Sequence, residues 1–182
     1  MILIGLGANL PTEQYGPPRA ALGVALDALS MDGIKVLRRS PWYESAPVPI
    51  SDQPWYVNGV AEIETTKSIH QLIATLLGIE AQVGRIRGVI NAPRVLDLDL
   101  LVYGDQIVSS TSEGGVAATV PHPRMVERAF VLLPLRDLNP GWCHPASGLS
   151  IDQMINTMPE GQDTRKLDDA GGFCGTEWPG PA

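Results

Sequence analysis

Cysteine is almost missing from this chain: its 182 residues include two, Cys143 and Cys174. They form no CxxC pair and have no histidine at zinc-site spacing, which argues against a disulfide framework or structural zinc and fits a reducing compartment. Positive charge is also short, with 13 Lys and Arg against 20 Asp and Glu for a net charge of -7. That is the wrong sign for a protein whose affinity comes from neutralising nucleic-acid phosphates. Aromatic residues make up 5% of the chain, and the aromatic-rich strands of an RNA-binding sheet are not there. The apolar start Ile2-Leu3-Ile4-Gly5-Leu6-Gly7 has no basic leader. It is far shorter than the roughly 20 residues a membrane span needs. Nucleic-acid and membrane partners are therefore not expected, and the chain reads as cytoplasmic. Two phosphate-binding motifs are missing as well. No GxxxxGK occurs, and Gly5-Leu6-Gly7-Ala8-Asn9-Leu10 has leucine where a dinucleotide fingerprint needs its third glycine.

What the sequence does contain is one core's worth of apolar residues, 44% of the chain, at a length too short for two ordinary enzyme domains. The expected organisation is one domain over residues 1–159 and a Gly-rich, polar, frayed tail over 160–182. With 19 glycines and 16 prolines, long ordered loops are expected, which is where sites usually lie. Residues 2–6 read as a buried strand, and Leu22, Ala25, Leu26 and Leu29 mark one stripe of a helix. A strand over 34–39 follows, after which Pro41, Pro47, Pro49 and Pro54 argue against regular structure until an extended segment at 56–64. Ser68 and Gln71 form a capping-box pattern opening a helix that Gly84 is placed to end. Residues 95–103 read as a strand, Gly104-Asp105 as a turn, and 106–109 as a returning hairpin arm. The order is β-α-β-β-α-β, so the expected fold is α+β and ferredoxin-like, a mainly antiparallel sheet with helices packed on one face. Beyond Thr119 the prolines obscure assignment, although Ser150 and Gln153 suggest a capped helix over 151–157.

The sharpest chemical signal lies in Val95-Leu96-Asp97-Leu98-Asp99-Leu100-Leu101-Val102. Strand side chains alternate, which puts Asp97 and Asp99 on one face about 6.6 Å apart and Leu96, Leu98, Leu100 and Val102 on the other. Two carboxylates this close in an apolar strand repel and lose hydration unless cations or arginines neutralise them. Hard oxygen ligands at this separation suit Mg²⁺ bridged to phosphate oxygens. The plainer alternative is a strand end whose acids face water. Arg85, Arg87 and Arg94 cluster beside the pair, and guanidinium groups contact phosphate oxygens in bidentate fashion, so the combination points to a nucleotide triphosphate. His122, between Pro121 and Pro123, could meet a phosphate or simply face solvent. His70 and His144 read as structural or solvent-facing.

The ordered set Gly7-Ala8-Asn9-Leu10, the loop from Ser40 to Asn58, Gly84-Arg85-Ile86-Arg87, Pro93-Arg94-Val95-Leu96-Asp97-Leu98-Asp99, Pro121-His122-Pro123-Arg124 and Arg128-Ala129-Phe130 resembles one family. It is similar to 6-hydroxymethyl-7,8-dihydropterin pyrophosphokinase of folate biosynthesis, over roughly residues 2–157. The resemblance implies transfer of the terminal pyrophosphoryl group of ATP to the pterin's hydroxymethyl oxygen, with AMP released. It implies that Asp97 and Asp99 are ligands of two Mg²⁺ ions and that Arg85 and Arg94 join them in the catalytic set. By the same resemblance Glu80, Arg85, Arg87, Arg94, Thr119, His122 and Arg128 contact ATP. Tyr56 and Phe130 stack on the pterin, Asn58 reads its pyrimidine-like edge, and backbone near Ser45 and Val48 completes the rim. Once ATP and Mg²⁺ have docked, the loops around residues 45–53 and 85–92 are expected to close over the pterin. The partners implied are these two small molecules, met by a monomer.

The sequence departs from the family pattern in places. Gly88-Val89-Ile90-Asn91-Ala92 lacks a frequent tryptophan and arginine and is one residue shorter. Ala117 stands where a basic residue is common, Pro123 replaces a frequent tyrosine, and Ser45-Ala46 replace a Thr-Pro pair. Retained activity with altered ATP contacts is expected. Two rivals are a metal-dependent nucleotidyltransferase, which would release pyrophosphate, and a non-catalytic pterin- or RNA-binding ferredoxin-like module.

Overall fold

A computed structural model describes residues 1–84, 94–111 and 117–181. The chain alternates local elements as the apolar pattern requires. β1 (Ile2–Ala8) leads to α1 (Pro18–Met31), which starts with a proline at its first position, where a missing amide costs nothing. β2 (Lys35–Arg39), β3 (Tyr43–Ser45) and β4 (Tyr56–Glu64) follow. α2 (Ile69–Val83) opens on a reciprocal Ser68–Gln71 capping box and closes at Gly84, whose φ of 108° is accessible to glycine at little cost. β5 (Asp97–Tyr103) completes the ferredoxin-like order. Beyond it lie β6 (Val108–Thr111), β7 (Ala117–Val120), α3 (Ala129–Leu138), α4 (Ile151–Thr157) and β8 (Thr164–Lys166).

The main sheet is antiparallel, in the order β5-β1-β4-β3-β8, with β2 also paired to β4. Its two faces bury different clusters. Ile4, Leu6, Leu96, Leu98 and Leu100 pack toward Leu22, Leu26, Leu72 and Leu76 of α1 and α2. Leu3, Val60, Leu101 and Val102 pack toward Leu132, Leu135 and Met154 of α3 and α4. Helices thus cover parts of both faces rather than one, because the C-terminal third of the chain supplies a second layer. Among the described residues no helix is long and apolar enough to cross a membrane.

Four local expectations change. Tyr43–Ser45 is a strand despite the surrounding prolines: Pro41 and Pro47 flank it, so its own amides remain free to pair with β4 and β8. Residues 106–109 do not return along β5, since β6 pairs with β7 in a separate two-stranded sheet. Val102 does not share a face with Leu100. The register against β1 shifts between Leu3 and Ile4, which partner Val102 and Leu100, and the bulged Leu101 turns Val102 to the α3 side.

The segment after Pro159 is packed rather than frayed. β8 pairs with β3, Thr176 is fully buried, the Trp42 indole donates to the Cys174 carbonyl at 3.0 Å, and Arg19 pairs with Glu177 at 2.6 Å. Tertiary partners along α1 and β3 hold a stretch whose own composition has little to hold it.

Candidate active site

Above the α3 layer, the same sheet face opens into a cavity of about 340 Å³. Gly5 and Gly7 form its floor, and their neighbours across β1 stand in register: Gly7 is opposite Asn58 on one side and Asp97 on the other, and Gly5 is opposite Asp99. A Cβ on Gly7 would lie 3.2 Å from the Asn58 Oδ1 and 3.9 Å from the Asp97 Cβ. The two glycines therefore keep the floor low between an acidic wall and an amide-bearing wall. This Gly-x-Gly is no dinucleotide fingerprint, since Leu10 stands where the third glycine would be. The usable signal was two glycines at strand alternation, which must share one face.

The acidic wall is β5. Asp97 and Asp99 both line the cavity, as their alternation required. Arg94 forms an ion pair with Asp97, Arg128 Nη1 lies 3.6 Å from the Asp99 Oδ2, and His122 Nε2 lies 4.0 Å from the same oxygen. Burial and the neighbouring Asp97 charge push the Asp99 carboxyl above its ordinary pKa, against the pull of His122, Arg128 and Arg94. Burial lowers the Arg128 guanidinium, and Asp99 only partly offsets it. For Arg94 burial acts downward too, but Asp97 and Asp99 outweigh it and raise the group. His122 is lowered, chiefly by burial. Its Nδ1 accepts the Arg124 amide at 3.2 Å, so a neutral ring carries its proton on Nε2, toward Asp99.

The opposite wall comes from β3, β4 and the loop between them. Asn58 is 5% exposed and its Nδ2 donates to Ser45 Oγ at 2.9 Å. Tyr56, Val48 and Phe130 line the same space, with the Arg128 guanidinium 5.5 Å from the Phe130 ring centre. Burial raises the Tyr56 phenol above its usual pKa, and its hydroxyl donates to Gln53 Oε1 at 3.3 Å. Asn9 ties the two walls together. Fully buried, it accepts the Arg94 amide through Oδ1 at 2.7 Å and donates through Nδ2 to the Pro54 carbonyl at 3.0 Å. Asn9 lies in the Gly7-Ala8-Asn9-Leu10 motif, but its bridging role depends on partners 45 and 85 residues away and has no local signal.

Ser45, Val48, Tyr56, Asn58, Arg94, Asp97, Asp99, Arg128 and Phe130 thus converge on one cavity, with His122 at its margin. Two other residues expected to contact ATP do not line this cavity. Glu80 is 1% exposed on α2, where Oε1 accepts the Leu98 amide at 2.7 Å, and it does not line the cavity. Thr119 is exposed on β7 opposite Ser109, because alternation turns Ala118 and Val120 inward instead. Arg85, Arg87 and the 88–92 loop lie outside the described residues.

Residues 3–140 match the sequence model of the family 7,8-dihydro-6-hydroxymethylpterin-pyrophosphokinase (HPPK). The chain belongs to the HPPK family. It is 40% identical over 157 residues to the 2-amino-4-hydroxy-6-hydroxymethyldihydropteridine pyrophosphokinase of Synechocystis sp., covering 86% of this chain and 75% of that protein. To the Pseudomonas aeruginosa protein of the same name it is 39% identical over 159 residues, 87% of this chain and 91% of that one. The folic acid synthesis protein fol1 of Pneumocystis carinii is 39% identical over 150 residues, but this chain spans only 19% of its length. Among solved structures, a triple mutant of Plasmodium falciparum HPPK-DHPS superposes with a TM-score of 0.67 at 13% identity, over 85% of this chain and 43% of that one. At that identity the likeness establishes the fold, and it agrees with the ferredoxin-like architecture of HPPK domains.

Proposed function

We propose that this chain transfers the terminal pyrophosphoryl group of ATP to the hydroxymethyl oxygen of 6-hydroxymethyl-7,8-dihydropterin, releasing AMP, in folate biosynthesis. The observation that carries this reading is the meeting, in one cavity, of an arginine-bracketed acidic pair with a subsite lined by aromatic and amide groups. The hydroxymethyl oxygen bonds to the β-phosphorus, the bond from that phosphorus to the α–β bridging oxygen breaks, and AMP leaves with the bridging oxygen. The hydroxyl proton is released. Such chemistry is mostly positioning and charge stabilisation, which suits a shell of fixed cations.

Arg94 and Arg128 are assigned to the phosphate oxygens, with the His122 Nε2–H as a neutral donor beside them. Arg85 and Arg87 are assigned to the same anion by family resemblance. Tyr56 and Phe130 hold the pterin between aromatic faces. Because Ser45 occupies the Asn58 Nδ2, the Asn58 Oδ1 stands over Gly7, where it can accept a hydrogen bond from the heterocycle's edge.

Magnesium fits the acidic pair by its donor chemistry: Asp97 and Asp99 present hard carboxylate oxygens to the same cavity, the ligand type that this ion takes together with phosphate oxygens. Asp97 and Asp99 would hold it, two ions by the family resemblance, and bound Mg²⁺ would draw charge from the phosphate oxygens. Action as a monomer is part of this proposal.

The test is product analysis. Purified protein with Mg²⁺, ATP and reduced hydroxymethylpterin is expected to form one AMP per pterin consumed, and none when pterin is omitted. Release of pyrophosphate instead would identify a nucleotidyltransferase.

A further inference from the structure

Residues 159–162 form one side of the cavity, although they lie beyond residue 140, where the match to the family ends. They are anchored from behind. Thr164 stands opposite Ser45 in the β3–β8 pairing, the Ala46 amide donates to the Asp163 carbonyl at 2.9 Å, and the Leu167 amide donates to the Trp42 carbonyl at 2.8 Å. Arg165 pairs with Glu44 and stacks on Trp55, 5.2 Å from the ring centre, while Lys166 reaches Asp137 at 2.8 Å. The anchored segment delivers Gln162 to the start of α3.

Gln162 grips the chain on both sides of Arg128. Its Oε1 accepts the Ala129 amide at 3.1 Å, and its Nε2 donates to the Glu127 carbonyl at 2.8 Å and the Pro159 carbonyl at 3.0 Å. Arg128 occupies the N-cap of α3 and makes no side-chain capping bond, so a first-turn amide that would lack a helical partner finds one in Gln162. A primary amide combines a donor and an acceptor on one planar group, and glutamine has the reach. The guanidinium fixed in this way is the one that faces Asp99 and lies by Phe130.

We propose that Gln162 is a positioning residue for pyrophosphoryl transfer: by clamping the peptide groups on either side of Arg128, it sets where that guanidinium meets the triphosphate of ATP. The proposal rests on the function proposed above. It makes the segment after Pro159 a working part of the site, and it predicts that Gln162 acts through Arg128 alone.

A double-mutant cycle tests this. Wild type, Gln162→Met, Arg128→Met and the double variant are compared by kcat and KM for ATP, and by calorimetric Kd for α,β-methylene-ATP with Mg²⁺, all below the melting temperature of each. Gln162→Met is expected to lower kcat/KM for ATP and weaken the analogue by about 10-fold. In the Arg128→Met background the same change is expected to have less than about a twofold effect. Gln162→Glu, which keeps the acceptor and loses the donor, is expected to fall between, and it carries the cycle if Gln162→Met does not fold. Equal losses in both backgrounds, or a lower melting temperature with unchanged kcat/KM and Kd, would overturn the proposal. Wild type that makes no AMP would refute the proposed reaction, while the Kd cycle on the analogue would still decide whether Gln162 works through Arg128.

Discussion

The Glu80 carboxylate accepts the backbone amide of Leu98 at 2.7 Å, on β5 between the two aspartates. Among the described residues β5 ends the sheet, and Glu80 supplies the acceptor that this amide meets there. Glu80 therefore holds the acidic strand in place from beneath without itself reaching the cavity.

Replacing Glu80 with leucine leaves the Leu98 amide buried without that acceptor, at an expected cost of about 1–3 kcal/mol. Glu80→Gln keeps an acceptor and is expected to cost under about 1 kcal/mol. Urea unfolding of both variants checks the difference. Equal losses would mean that the hydrogen bond to Leu98 is not what Glu80 contributes.

Gly7→Ala inserts a methyl group 3.2 Å from the Asn58 Oδ1, a contact tight enough that the amide must yield by a few tenths of an ångström. Because Asn58 is locked to Ser45, the shift falls on the edge assigned to reading the pterin. The expected outcome is a rise of about 10-fold in KM for pterin, with KM for ATP changed far less. Steady-state kinetics with each substrate varied separately would show it.

Acid should loosen the docking of β8. Asp137 accepts hydrogen bonds from Lys166 and Tyr43, and although burial alone would raise its carboxyl, these partners hold it below the ordinary value of 3.8. A depressed folded-state pKa gives stability that is fully present above the unfolded value and lost as pH falls through the folded one. Asp137→Asn is thus expected to lower the melting temperature at pH 7 and to make progressively less difference below pH 3.8. The loss at neutral pH should be under about 1 kcal/mol, since the pair with Lys166 is partly exposed. Melting curves of both proteins across pH would reveal a gap that fails to close if the assignment is wrong.

How much of this was legible beforehand follows from how local each signal is. The α2 capping box, the β1 and β4 strands and the shared face of Asp97 and Asp99 rest on neighbours a few residues apart, and the structure has all of them. β3, the β6–β7 pair and the packed C-terminal segment depend on partners far along the chain, such as Thr164 for Ser45 and Cys174 for Trp42. No short window carries that information. The bulge at Leu101 likewise defeats simple alternation, sending Val102 to the α3 side. Within the site, the charged and aromatic residues could be named in advance. Gly5, Gly7, Asn9 and Gln162 shape it without chemistry of their own, and their roles follow from register and contact.

The most direct measurement is the rate of AMP formation by Asp99→Asn beside wild type, with Mg²⁺, ATP and reduced hydroxymethylpterin. Burial and Asp97 already disfavour the Asp99 charge, so its removal should leave the melting temperature at pH 7 equal or higher. The account predicts a folded variant whose pterin-dependent AMP formation is slower by about 100-fold or more. Wild-type turnover by that variant would contradict it.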